Sequence, residues 1–82
     1  MKLSIYSIQS TLFEGEVERL TLPTSTGEIT VLDGHIPLVS LVNPGSVRYT
    51  HFGTEKSLLL NGGVLEVRPE SEVVILASEK VL

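Results

Sequence analysis

Between Gly27 and Gly45 the chain reads GEITVLDGHIPLVSLVNPG, and this stretch limits the possible folds more than any other. The apolar run Ile29–Leu32 stops at Asp33–Gly34, where glycine takes a positive φ without a Cβ clash. Pro37 fixes φ and removes a backbone donor, so a strand can start there while its ladder is interrupted. Leu38–Val42 then carries four large apolar residues in five, and Asn43–Pro44–Gly45 is a second turn signal. The stretch reads as strand, turn, strand, turn.

The same punctuation runs through the whole chain. Leu3 and Ile5 alternate with polar neighbours as in a half-buried strand, and the slip to Ile8 predicts a bulge or strand end. In Phe13–Leu22, Glu14, Glu16 and Glu18 recur every second residue and would share one solvated face of a continuous strand. Pro23–Gly27 is a polar loop of small residues with Glu28 at its far end. Val47 and Tyr49 mark another strand, His51–Thr54 a turn, and Asn61–Gly62–Gly63 a hairpin signal. Val64–Arg68 returns, Pro69–Ser71 turns again, and Val73–Ala77 is the last strand. Turns roughly every 8–12 residues without a helical period predict an all-β fold, a small antiparallel two-sheet β-sandwich or flattened barrel.

Eighty-two residues make one domain, whose small core predicts modest stability. No cysteine is present to staple it or to hold a metal. A net charge of −4, with Lys and Arg scattered, argues against nucleic acid as a partner. No apolar stretch approaches the ~18 residues of a membrane span. His35 and His51 are too far apart in sequence for a His-x-His metal site, and neither a nucleophile elbow nor a phosphate-cradling loop occurs. The residues predict a non-catalytic chain without a cofactor.

Alternation fails in three places. Leu58–Leu59–Leu60, Val73–Val74–Ile75–Leu76 and Leu38–Val39 place large apolar groups on both sides of their strands. A two-layer fold shelters one face of each strand, so the other groups predict a surface covered by another polypeptide.

Four motifs now fall in order: Gly27–Glu28, Gly34–His35–Ile36–Pro37–Leu38, Pro44–Gly45 and Gly62–Gly63–Val64–Leu65–Glu66–Val67. Together they resemble the N-terminal domain of the epsilon subunit of bacterial F-type ATP synthase. The resemblance implies a rotor subunit that joins the gamma subunit to the membrane c-ring and couples proton translocation to ATP synthesis. It would sit peripherally on the cytoplasmic face of the inner (plasma) membrane, without inserting. By the same resemblance, Thr24, Ser25, Thr26, Gly27 and Glu28 would contact the c-ring. His35, Ile36, Pro37, Leu38 and Val39, with Leu59, would contact gamma. The family usually continues into two α-helices, which in many members inhibit hydrolysis and in some bind ATP. This chain ends at Leu82, about where they would begin, so a single domain without them and without nucleotide is expected. The rival from the residues is a free-standing ligand-binding sandwich, for instance for carbohydrate. Such modules present exposed aromatic platforms, and only Tyr6, Phe13, Tyr49 and Phe52 are available.

Overall fold

The computed structural model describes residues 1–78, which form seven strands and no helix. They are β1 (Lys2–Tyr6), β2 (Thr11–Glu16), β3 (Arg19–Thr24), β4 (Gly27–Leu32), β5 (Leu38–His51), β6 (Thr54–Arg68) and β7 (Glu72–Ala77). Backbone pairing is continuous in the order β2-β1-β7-β6-β5-β3-β4.

The lengths of β5 and β6 dictate how this sheet becomes two layers. They run for 14 and 15 residues. Flat strands of that length would span about 46 Å, yet the longest dimension of the molecule is 37 Å. Both bend midway, and each serves two layers. The first half of β5 and the second half of β6 continue into β7, β1 and β2. The other halves lie beside β3 and β4. Inward residues of both layers meet in one core of Leu3, Ile5, Leu20, Leu22, Leu65 and Ile75, with Val31, Val47 and Val73. Each such leucine or isoleucine contributes about 1.5–3 kcal/mol by leaving water.

The all-β sandwich expected from the punctuation is what forms, with one departure. β1 pairs with β7 in parallel, Lys2 opposite Glu72 and Ile5 opposite Ile75, so the sheet is mixed.

Two turn signals are strand bends instead. Asn43–Pro44–Gly45 lies inside β5 and Asn61–Gly62–Gly63 inside β6, with Pro44 opposite Asn61 and Val42 opposite Gly63. Gly62 and Gly63 have φ of 94° and 154°. The backbone freedom that suits glycine to a reversal also lets a long strand coil from one layer to the next. The reversal between β5 and β6 falls at Phe52–Gly53, with φ of 50° and 77°. Positive φ at both central residues is the twist that a two-residue hairpin needs.

Smaller departures have similar local causes. The β1–β2 register shifts between Ile5 and Tyr6, and Ile8 lies beyond the strand, fully outside the core. β2 stops at Glu16, so Glu18 leaves the row of Glu14 and Glu16. The β3–β5 ladder slips between Thr21 and Thr24, around Pro23, which has no N–H to give. Residues 79–82, where the helices of the resembled family would begin, lie outside the described residues.

Candidate functional site

The β3–β4 hairpin closes on Thr24. Its side chain is buried, and its Oγ1 donates to the Gly27 carbonyl at 2.7 Å and accepts the Thr26 N–H at 3.3 Å. Asn43 Nδ2 donates to the Thr24 carbonyl at 3.1 Å, and the Ser25 N–H donates to the Leu41 carbonyl at 3.2 Å. The hairpin is thus tied to β5 from behind. Ser25, Thr26, Gly27 and Glu28 remain exposed at the tip, while Thr24 acts as their internal brace. Glu28 Oε2 accepts from Arg48 Nη2 of β5 at 3.0 Å.

The second set of residues lies at the other end of β4, about 17 Å along the strand. Here the His35 N–H donates to the Leu32 carbonyl at 3.1 Å, and the Gly34 N–H donates to Ser71 Oγ at 3.2 Å. His35 is half-buried, its Nδ1 lying 2.7 Å from the Ile36 carbonyl oxygen. Ile36 and Pro37 project into solvent. Leu38 packs against the core, and Val39 faces out, 70% exposed.

Pairing across β5, β6 and β7 then extends Val39 into a surface. Leu41 is opposite Val64, and Val64 is opposite Leu76. Val39, Val64, Val74, Leu76 and Tyr6 line a shallow depression of ≈460 Å³ on the outside of the first layer. At its rim Arg68 bridges Glu66 at 3.1 Å and Glu72 at 3.7 Å. Leu59 is exposed, as its apolar run implied, but it does not join Val39. It lines a separate hollow with Leu12, Pro44, Leu60 and Ala77. Val64 and Leu76 join Val39 and Leu41 only through strand register, so the sequence marks Leu76 as an outward apolar group without placing it beside Val39.

The three glutamates of β2 and the following turn, and His51, find partners within the chain. Glu14 meets the Tyr6 hydroxyl, Glu16 the Met1 amine, and Glu18 the Gly53 N–H. His51 places Nδ1 2.6 Å from the Glu16 carbonyl oxygen and lies edge-on to Phe13. Phe13 packs at a tilt against Tyr49, whose phenol is pushed up in pKa by burial. Phe52 stands exposed beyond His51. With Tyr49 buried and Phe13 packed on the core, no aromatic platform forms among the described residues, and the carbohydrate-binding alternative has no support.

Comparison with known proteins agrees with this geometry. The family model described as the beta-sandwich domain of the ATP synthase delta/epsilon chain matches residues 1–82. An ATP synthase epsilon chain from Bordetella petrii is 35% identical over 82 residues, which are 99% of this chain and 57% of that protein. A chain in the cryo-EM structure of Euglena gracilis mitochondrial ATP synthase (OSCP/F1/c-ring) superimposes with a TM-score of 0.87 at 27% identity. That match covers 96% of this chain and 51% of the other. A chain in the central stalk and c-ring structure of Tetrahymena thermophila mitochondrial ATP synthase shares the fold, with a TM-score of 0.80 at 16% identity. It is covered over 63% of its length, against 95% here. The chain therefore spans about half to two-thirds of the relatives it matches. Matched from its first residue to its last, the chain belongs to the family of ATP synthase delta/epsilon chain β-sandwich domains.

Proposed function

We propose that the chain is the sandwich part of a non-catalytic central-stalk subunit of an ATP synthase, joining the gamma subunit to the c-ring. In that place it helps to couple proton translocation to ATP synthesis, and it sits peripherally on the cytoplasmic face of the membrane. The family match along the whole chain carries this reading. The geometry supports it, because a coupling element needs a stiff body with separate docking surfaces. The polar tip of Ser25, Thr26, Gly27 and Glu28 suits the polar loops of a c-ring, with Thr24 bracing it from inside. The flank of Ile36, Pro37 and Val39, widened by Val64 and Leu76, suits gamma, with His35 and Leu38 shaping the approach. Among the described residues no helix is long and apolar enough to cross a membrane. The role needs neither a bound nucleotide nor a metal.

Reconstitution tests it. Cognate gamma and c-ring should co-purify in larger yield with the chain than without it, and equal yield would refute the role. Glu28→Lys should weaken c-ring capture about tenfold, a loss of about 1.4 kcal/mol, while the melting curve stays in place. Unchanged capture would remove the hairpin from the c-ring surface. Leu59→Asp should leave the fold intact, since the side chain is 82% exposed. Gamma binding should fall only about threefold, as expected of a contact at the margin of an interface. No change would take Leu59 out of that interface.

A further inference from the structure

Glu28 is held by a residue from two strands away. Arg48 belongs to β5, where it sits opposite Thr21 of β3 and Ser57 of β6. Its guanidinium crosses β3 to reach β4 and meets only one oxygen of the carboxylate, Oε2, at 3.0 Å. Among the described residues no hydrogen bond or ion pair engages Oε1. Beneath the guanidinium the sheet is cross-linked, with Thr21 Oγ1 and Thr30 Oγ1 3.1 Å apart, so the base of the arginine stands on a fixed floor. Both members of the pair are substantially exposed, at 43% and 63% of the side chain. An ion pair so wet adds little to stability. Orientation is what it can supply: a carboxylate bound through one oxygen aims the other.

We infer that Arg48 is a positioning residue for the c-ring contact. It holds Glu28 so that Oε1 faces the tip as a hydrogen-bond acceptor, and it neutralises most of the charge behind it. The partner chemistry that fits is a neutral donor, such as a side-chain or backbone amide in a polar loop, in preference to a lysine or arginine. This rests on the hairpin being the c-ring surface.

The test uses the chain bound to cognate gamma and titrated with purified c-ring, comparing wild type with Glu28→Gln, Arg48→Ala, Arg48→Lys and the double variant Glu28→Gln/Arg48→Ala. Expected are losses of about fivefold to tenfold for Glu28→Gln and for Arg48→Ala, with the double variant no weaker than either alone. Arg48→Lys should recover part of the loss, and wild-type affinity should change little between low and moderate salt. Thermal midpoints should agree within about 2 °C across the set, which separates positioning from stability. If Glu28→Gln weakens binding and Arg48→Ala does not, or if the two losses multiply, the positioning role is overturned. If Glu28→Gln itself binds as wild type, the hairpin reading fails and the inference falls with it.

Discussion

Gly63→Ala is expected to yield no folded protein. A Cβ built on Gly63 lies 2.2 Å from the Leu76 carbonyl oxygen and 3.0 Å from the Ala77 Cα. Both are backbone atoms of β7, held by the ladder to β6, so neither can swing away as a side-chain tip would. The φ of 154° adds strain for any residue with a Cβ. Relief requires parting β6 from β7 where β6 changes layer, at a cost above about 4 kcal/mol. A domain of this size has about 4–12 kcal/mol in total. Circular dichroism and a urea titration would measure the effect. Gly53→Ala is the control, because its φ of 77° is unfavourable but its Cβ would meet nothing within 4 Å. It should cost only about 1 kcal/mol. A cooperative melt of Gly63→Ala close to wild type would show that β7 yields, contrary to the packing described.

Leu76→Asp should produce the largest loss of gamma binding among surface substitutions, about 100-fold, with the fold preserved. Leu76 is 55% exposed beside Val64 and in the same depression as Val39. Docking a partner there would release about 1.5–2 kcal/mol from the leucine alone. Aspartate forfeits that and forces a carboxylate to be desolvated, bringing the difference to about 3 kcal/mol. Titration of purified gamma against wild type and variant measures it. Ile75→Asp serves as contrast, since Ile75 is fully buried one residue earlier and its replacement should unfold the chain. Wild-type affinity for Leu76→Asp would exclude the flank as the gamma surface.

What sequence made legible follows from the range of the forces involved. The inward rows, Leu3 and Ile5 of β1 and Val73 and Ile75 of β7, were legible, since neighbours two residues apart share one face. The exposure of Val39, Leu59 and Leu76 was legible too, as an excess of apolar groups over available layers. Ser4 and Val74, paired in the outward row, are the exceptions, at only 3% and 7% exposed. Reach across the sheet was not legible. Gly62–Gly63 permits a reversal or a bend equally well, and the choice is made by β7 and Val42 packing around it. The distribution of Val39 and Leu59 between two hollows depends on that bend. Thr24 reads as an exposed loop residue because its composition suits one, and only the hydrogen bond to Gly27 shows it as a brace.

The parallel union of β1 with β7 has a consequence for how the molecule is made. Leu3 waits for Val73, so the strand synthesised first lacks one lateral neighbour until nearly all the others have been translated. Until then its other partner is β2, with Ile5 against Phe13, and a two-stranded ribbon is marginal in water. Joining residues about seventy positions apart requires a late, entropically expensive closure, which slows refolding. A nascent or nicked chain that has not yet added β7 leaves edges of β1 and β6 open to intermolecular pairing, so this is the stage most exposed to aggregation.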